Sequence, residues 1–269
     1  MDLLPRHLRR LADELLDVTP VLVIEGARQA GKSTLAHQFV PGGLSTVVTL
    51  DDPQVRAFAS LDPVGFLQSA GAGRLVIDEG QRMPSLMLPL KLAVDLDRRP
   101  GRFVLTGSAN LLRVPGSEDS LAGRALTLRL QPFSQGEIEQ RVDDWVTRLS
   151  ADPAGAIGRQ PDRGDIVGRM VRGGYPAVQG LSPRAMGLWL KGYADRLLER
   201  DSADLGTLQV PVLRRLLMLV AAAPGAELVL ERFAETLGVA RSTVQRYLDI
   251  LEALFITTTA SFIGGSIGI

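Results

Sequence analysis

Residues 21–39 read VLVIEGARQAGKSTLAHQF, and this stretch decides the fold. Its central part, residues 26–33, matches the pattern GxxxxGK[ST] at every fixed position. The short run before it is apolar and β-branched, as in a buried strand, and a helical pattern follows it. Glycines let the chain wrap closely around phosphate oxygens, and the helix N-terminus faces the same anion. The stretch therefore predicts a loop that binds the phosphates of a nucleotide.

Two residues of this loop carry most of its chemistry. Lys32 is expected to reach the β and γ phosphates as a cation, and the Ser33 hydroxyl to bind Mg²⁺. The side chains of Arg28 and Gln29 are expected to point outward, and Thr34 to pack or cap the helix. The full set of predicted contacts to the nucleotide is Gly26, Ala27, Arg28, Gln29, Ala30, Gly31, Lys32, Ser33 and Thr34. The ligands implied are ATP and Mg²⁺.

An acidic pair follows the apolar run at 74–77. Ligands collect at the carboxyl ends of strands in open α/β sheets, and Asp78 stands at such an end. We expect Asp78 to hold the magnesium shell and Glu79 to orient or deprotonate the attacking water. The alternative is a solvated acidic turn after a strand.

Further catalytic candidates follow the next apolar strand, in FVLTGSANLL at 103–112. Ser108, with Asn110 as the second choice, is predicted to sense the γ-phosphate or place the water, unless these side chains only cap the strand end. Arg124 and Arg172 are candidates for an arginine finger that stabilises the transferring phosphoryl group. Surface or structural roles for both arginines stay open.

The strand and helix patterns predict an α/β fold. Apolar runs alternate with helical patterns, which indicates a P-loop NTPase core with a mostly parallel sheet covered on both faces. The predicted strands lie at 21–25, 45–50, 74–79, 102–107 and 124–130. We expect a P-loop ATPase domain at 1–150, followed by a helical region and a winged-helix-like module at 151–269.

The last helical patterns have helix-turn-helix spacing around Gly238. A DNA-reading helix needs several basic side chains that reach phosphates and bases. Only Arg241 and Arg246 could make such contacts here, and the negative charges of Asp249 and Glu252 offset theirs. DNA binding is therefore possible but not favoured over an internal or protein-contacting role.

The composition excludes several classes of protein. The charges of the 30 basic and 30 acidic side chains cancel, so the protein has no overall electrostatic field that would attract nucleic acid or an anionic membrane surface. Cysteine is absent, so disulfides and thiolate metal sites are excluded and a cytoplasmic location is the simpler expectation. The longest apolar runs fall far short of the ~20 residues that span a bilayer.

Several motifs, read in order, resemble a prokaryotic AAA-type ATPase family with a poorly known role. They are GARQAGKSTL, RLVIDEGQRMPSLMLPLKLAVD, FVLTGSANLL, SLAGRALTLRLQPFS, GGYPAV and YADRLLERD. The resemblance implies an AAA-like core that binds and hydrolyses ATP, with Lys32, Ser33, Asp78 and Glu79 at the matching positions. It also implies a C-terminal domain with a winged helix and a nuclease-like fold. The final ITTTASFIGGSIGI lacks the charged wing of that family, which suggests a truncated end.

The leading functional hypothesis is an ATPase whose nucleotide state moves the C-terminal helical module. One rival is a P-loop kinase, although neither a basic lid nor an acceptor pocket can be identified. The non-enzymatic rival is a nucleotide-gated DNA-binding switch with little turnover. A GTPase is disfavoured because no [NT]KxD sequence surrounds Lys32, Lys91 or Lys191. A homo-oligomer is possible, and a protein client is expected but cannot be named from the sequence.

Overall fold

A computed structural model describes most of the chain in two compact units. The described residues are 3–40, 45–108, 121–142, 144–153, 162–201, 208–223 and 225–259. Contacts group the chain into Met1–Met186 and Gly187–Ile269, and each unit is described by itself. Residues 151–186, predicted as part of the second domain, group with the first unit. The domain boundary after residue 150 stays a prediction.

A five-stranded parallel sheet forms the first unit within the described ranges. Its strands are β1 (Val21–Glu25), β2 (Thr46–Thr49), β3 (Leu75–Asp78), β4 (Phe103–Gly107) and β5 (Ala125–Arg129). Their order is β2-β3-β4-β1-β5, and every neighbouring pair is parallel. This confirms the predicted α/β fold with a P-loop core. Because β4 lies between β1 and β3, the carboxyl ends of these three strands are adjacent.

Helices follow and separate these strands. In the first unit they are α1 (Leu8–Leu16), α2 (Lys32–His37), α3 (Pro53–Leu61), α4 (Pro63–Gln68), α5 (Met87–Leu96), α6 (Gln135–Ile138), α7 (Trp145–Ala151) and α8 (Arg163–Arg172). A further helix, α9 (Pro183–Arg196), spans the division between the units. The carboxylates of Asp52 and Asp62 cap α3 and α4, and each helix begins with a proline, which suits a first helical position. The first helix, before β1, begins at Leu8.

Side chains of each central strand alternate between two cores. Val21 and Val23 of β1 pack into a cluster with Phe66 and Leu90. Leu22 and Ile24 point to the opposite face and pack into a cluster that includes residues of α1 and α2. All of β1 is buried. Burial on both faces explains why this strand is a continuous apolar run instead of an alternating one.

The second unit is helical. It contains a π-helical turn (Leu197–Asp201) and the helices α10 (Val210–Ala222), α11 (Leu230–Leu237) and α12 (Arg241–Ala253). The predicted helix-turn-helix is present, because Gly238, with a left-handed φ of 67°, follows the last residue of α11 and α12 begins three residues after this glycine. Val244, Leu248 and Leu251 of α12 lie in the core of this unit. In the part of the chain that the structure describes, no helix is both long and apolar enough for a membrane span.

Candidate active site

The phosphate-loop sequence connects β1 to α2 and packs tightly against the residue after β5. Gly26 has φ of 151°, and a Cβ at this position would lie 2.1 Å from the carbonyl oxygen of Leu130. The Leu130 amide in turn donates to the carbonyl of Glu25 at 2.7 Å. Glycine is therefore needed here, because the loop has to leave the sheet against neighbouring backbone. Gly31, at φ of 100°, gives the chain the turn that starts α2.

The Lys32 ammonium group lies inside this loop. Its Nζ donates to the carbonyl oxygens of Gly26 at 3.0 Å and Ala27 at 2.9 Å, and the side chain is buried. Desolvation by burial lowers the pKa of Lys32 to about 8, although the negative charges of Glu79 and Asp78 act in the opposite direction. The loop thus holds a buried amino group that donates to two of its backbone carbonyls.

Ser33 and Asp78 are brought into contact from opposite sides of β4. The Ser33 hydroxyl lies 2.8 and 3.0 Å from the two carboxylate oxygens of Asp78, although the residues are 45 positions apart. The buried Thr106 hydroxyl, from the end of β4, also donates to Asp78. Parallel strands bring these residues together because their carboxyl ends share one edge of the sheet.

These oxygens fit a magnesium ion. A hydroxyl and a carboxylate are ligands that Mg²⁺ prefers, and this ion usually takes one or two protein oxygens with waters and phosphates. Among the described residues, no group of three or more His, Cys, Asp or Glu could hold a metal by itself. The chain therefore provides a partial oxygen shell, which phosphate oxygens and waters would complete.

Glu79 follows β3 in a left-handed conformation, with φ of 59° and ψ of 43°. Its backbone N–H donates to the Thr106 hydroxyl at 3.2 Å, which fixes this turn. The side-chain amide of Gln81 donates to the Glu79 carboxylate and also to the Ser108 hydroxyl, the latter at 3.0 Å. The structure therefore brings Glu79 and Ser108 together through Gln81, a residue that the sequence analysis missed.

The remaining predicted loop residues differ in exposure. Ala27 and Ala30 are buried and joined by a backbone hydrogen bond of 3.2 Å. Arg28 is half-buried, whereas Gln29 and Thr34 are exposed. Gln29 has a left-handed φ of 62°, which is uncommon for a residue with a Cβ.

A buried arginine outside the motif supports the loop. The Arg6 guanidinium donates to the carbonyl oxygen of Ala30 at 2.8 Å and to the Glu137 carboxylate at 3.1 Å. It also lies over the Phe133 ring, 4.7 Å from the ring centre. Glu137 is held by the capping box that it forms with Ser134 at the start of α6. The S-x-x-E pattern at 134–137 signals that helix start in the sequence, but nothing local reveals its arginine partner.

The two candidate finger arginines lie away from the phosphate loop of their own chain. Arg124 precedes β5 at the end of the sheet where β1 begins, about 13 Å of strand from the loop. It forms an ion pair with Asp95 at 2.8 and 2.9 Å, which lowers the pKa of that carboxyl group. Arg172 is exposed at the end of α8, and no contact described for it reaches the loop. Asn110 lies outside the described residues.

Two family models match this chain. Residues 18–139 match the model of an AAA domain, and residues 163–263 match that of a domain of unknown function, DUF8612. The first match contains the phosphate loop, all five strands and the acidic pair after β3. The match to the AAA model is in keeping with the P-loop fold of the first unit. The winged helix and nuclease-like fold implied for the C-terminal region stay predictions.

The chain is also similar to curated proteins and to solved structures. The chain is 31% identical over 234 residues to the uncharacterized proteins Mb2031c of Mycobacterium bovis and Rv2008c of Mycobacterium tuberculosis. The alignment covers 86% of this chain and 47% of each relative, so the chain spans about half their length. The Walker-type ATPase PABY2304 of Pyrococcus abyssi superposes with a TM-score of 0.55 at 17% identity, over 94% of this chain and 90% of that one. This likeness shows the fold.

Proposed function

We propose, from the premise that residues 18–139 form an AAA-type P-loop domain, that this protein binds Mg-ATP and hydrolyses it to ADP and phosphate. The observation that carries the proposal is the contact between the Ser33 hydroxyl and the Asp78 carboxylate, at 2.8 Å, beside the buried ammonium group of Lys32. These three residues supply the cation and the oxygen ligands that a magnesium-bound triphosphate requires.

Lys32 is the residue that would exchange partners when ATP binds. Its ammonium group donates to two loop carbonyls, and phosphate oxygens are stronger acceptors for it because they carry charge. Ser33 and Asp78 would hold Mg²⁺, and the ion would supply positive charge that offsets the negative charge of the phosphates.

Glu79 would act on the attacking water, and Ser108 would act on the γ-phosphate. Glu79 accepts a proton from the water while the water oxygen bonds to the γ-phosphorus atom. The bond from that phosphorus atom to the bridging oxygen breaks, and the electron pair remains on ADP. Ser108 would donate to the γ-phosphate, which is a role suited to a side chain between the loop and Glu79.

If Arg124 acts as an arginine finger, it has to come from another copy of the chain. Arg124 lies at the opposite end of the sheet from its own phosphate loop, so a role at phosphates requires a neighbouring molecule. We propose a nucleotide-dependent homo-oligomer on this ground, with Arg124 or Arg172 acting in trans. Measuring the mass of the protein in solution with and without Mg-ATP tests for this oligomer. A monomer under both conditions would favour structural roles for both arginines.

Nucleotide-dependent movement of the helical module is also proposed. The DNA-switch alternative has less support, because Arg241 forms an ion pair with Glu231 at 3.0 Å and Arg246 lies over the Tyr247 ring. DNA-stimulated phosphate release would favour that alternative. The biological client stays unnamed.

Steady-state phosphate release tests the catalytic proposal. Glu79→Gln should lower kcat by about 10²–10⁴-fold, the range for loss of a general base. Glu14→Gln, on the exposed face of α1, serves as the matched control and should leave kcat unchanged. Equal rates in Glu79→Gln and wild type would remove Glu79 from the mechanism.

Calorimetry with ADP or a non-hydrolysable ATP analogue tests the binding proposal. Lys32→Ala should weaken binding about 10- to 100-fold, as expected for loss of hydrogen bonds to a charged group. Lys191→Ala, at an exposed position on α9, is the control that removes a lysine without touching the loop. An unchanged nucleotide affinity in Lys32→Ala would contradict the binding proposal.

A further inference from the structure

The chain turns after β3 and brings the side chain of Gln81 into contact with that of Glu79. Glu79 adopts a left-handed conformation, and a single 3-10 turn (Gly80–Arg82) follows at once. The Gln81 side chain then donates from its amide nitrogen to a Glu79 carboxylate oxygen and to the Ser108 hydroxyl at 3.0 Å. One amide group thus joins the residue after β3 to the residue after β4.

The direction of these hydrogen bonds is fixed by chemistry. A carboxylate can only accept, so the nitrogen of the Gln81 amide has to face Glu79. The same nitrogen has a second hydrogen, which makes Ser108 an acceptor and directs the proton of its hydroxyl away from Gln81. One oxygen of Glu79 is thereby occupied by Gln81.

The amide oxygen of Gln81 is itself buried and accepts no hydrogen bond from the residues that the structure describes. Leaving a buried acceptor without a partner opposes folding. Packing alone does not account for this arrangement, because both hydrogen bonds of the Gln81 amide nitrogen go to proposed catalytic groups. Buried polar atoms without a hydrogen-bond partner frequently have a functional cause in native structures.

We propose that Gln81 is a positioning residue for ATP hydrolysis. It holds the carboxylate of Glu79 and the hydroxyl of Ser108 at a fixed separation, so that one is oriented to accept the water proton and the other to donate to the γ-phosphate. This inference rests on the proposed ATPase function. Because Gln81 contacts neither Lys32 nor Ser33 among its described hydrogen bonds, it acts on turnover and not on nucleotide affinity.

The test is a split between kcat and affinity in the full chain. Gln81→Leu keeps the approximate side-chain volume and removes both donors. Its kcat should fall about 10- to 100-fold, the range for residues that orient a catalytic group, while the Kd for a non-hydrolysable ATP analogue stays within about twofold. Gln54→Leu, on the exposed side of α3, is the matched control and should keep both values.

A double variant separates positioning from a general structural effect. If Gln81 acts through Glu79, then Gln81→Leu should lower kcat no further in the Glu79→Gln background, because residues that act as a unit are not additive. Independent, multiplied losses would overturn the assignment. If Gln81→Leu fails to fold, Gln81→Glu decides, because it keeps the shape but places a second carboxylate beside Glu79 and should also lower kcat.

The outcomes distinguish this inference from the function on which it rests. Wild-type turnover together with unchanged kcat in folded Gln81→Leu would overturn the role of Gln81 alone. Parallel losses of kcat and affinity would also overturn it, because they indicate a distorted loop. Absence of Mg-ATP turnover in the wild type would overturn the ATPase proposal and this inference together.

Discussion

Replacing Arg6 by methionine should destabilise the first unit by about 3 kcal/mol, because it leaves a buried carboxylate without its cation. The side chains of Arg6 and Glu137 are only 6% and 5% exposed. Removing one partner of a buried pair costs about 3–5 kcal/mol. The lower end applies here, because Glu137 keeps hydrogen bonds from the backbone N–H groups of His7 at 2.7 Å and Ser134 at 3.0 Å.

The measurement is urea unfolding of the full chain, followed by circular dichroism. Arg9→Met is the matched control, because Arg9 also pairs with a carboxylate, Asp13, and lies over an aromatic ring, Phe39. That pair is exposed, so its loss should cost less than about 1 kcal/mol. In the double variant of Arg6→Met with Glu137→Gln, the stranded charge is absent, and the cost should fall below the sum of the two single changes.

The same substitution should also affect the phosphate loop. Arg6 donates to the carbonyl oxygen of Ala30, so its loss frees this part of the loop, and ATP analogues should bind more weakly to Arg6→Met than to Arg9→Met. A cost for Arg6→Met within about 1 kcal/mol of that for Arg9→Met would refute the reasoning about the buried pair. Equal nucleotide affinities in the two variants would refute the link to the loop.

Three further predictions concern the site itself. Burial lowers the pKa of Lys32 to about 8, so the ammonium form predominates below that pH and ATP affinity should be constant there. Above pH 8, binding should require proton uptake, and the Kd should rise about tenfold per pH unit. Calorimetry in buffers of different ionisation enthalpy measures this proton uptake, and a Kd that stays constant to pH 10 would contradict the prediction. Gly26→Ala should cost at least about 2 kcal/mol and impair nucleotide binding, because its Cβ would meet the Leu130 carbonyl; an unchanged melting temperature would argue against this packing. Thr106→Val removes a hydroxyl that donates to Asp78, so the Mg²⁺ concentration for half-maximal activity should rise about 10- to 100-fold, and an unaltered magnesium dependence would exclude that role.

The phosphate loop and its sheet could be predicted from the sequence because their signals are local. A phosphate loop needs glycines, a lysine and a hydroxyl at fixed spacing within a few residues. A strand that is buried on both faces has to be continuously apolar. The position of Asp78 followed from a general rule, because carboxyl ends of parallel strands meet at one edge. Its contact with Ser33 is in keeping with that rule.

Other features could not be predicted from the sequence because they depend on contacts between distant segments. Arg124 was a candidate by sequence order, yet strand register places it at the far end of the sheet, where it pairs with Asp95. The pairing of Arg6 with Glu137 joins positions 131 residues apart, and an arginine before a helix carries no periodic signal of such a partner.

The sequence by itself determined that residues 21–33 form a strand and a phosphate loop, because the chemistry of those residues acts over a few neighbouring positions. Only the tertiary structure decided which side chain contacts Glu79 and Ser108 and which one supports the loop. Gln81 follows Glu79 by two positions, but its contact with Ser108 requires a left-handed residue, a 3-10 turn and the insertion of β4 beside β3. Such contacts depend on the packing of the whole sheet, since hydrogen bonds between separate strand ends form only after those strands are ordered.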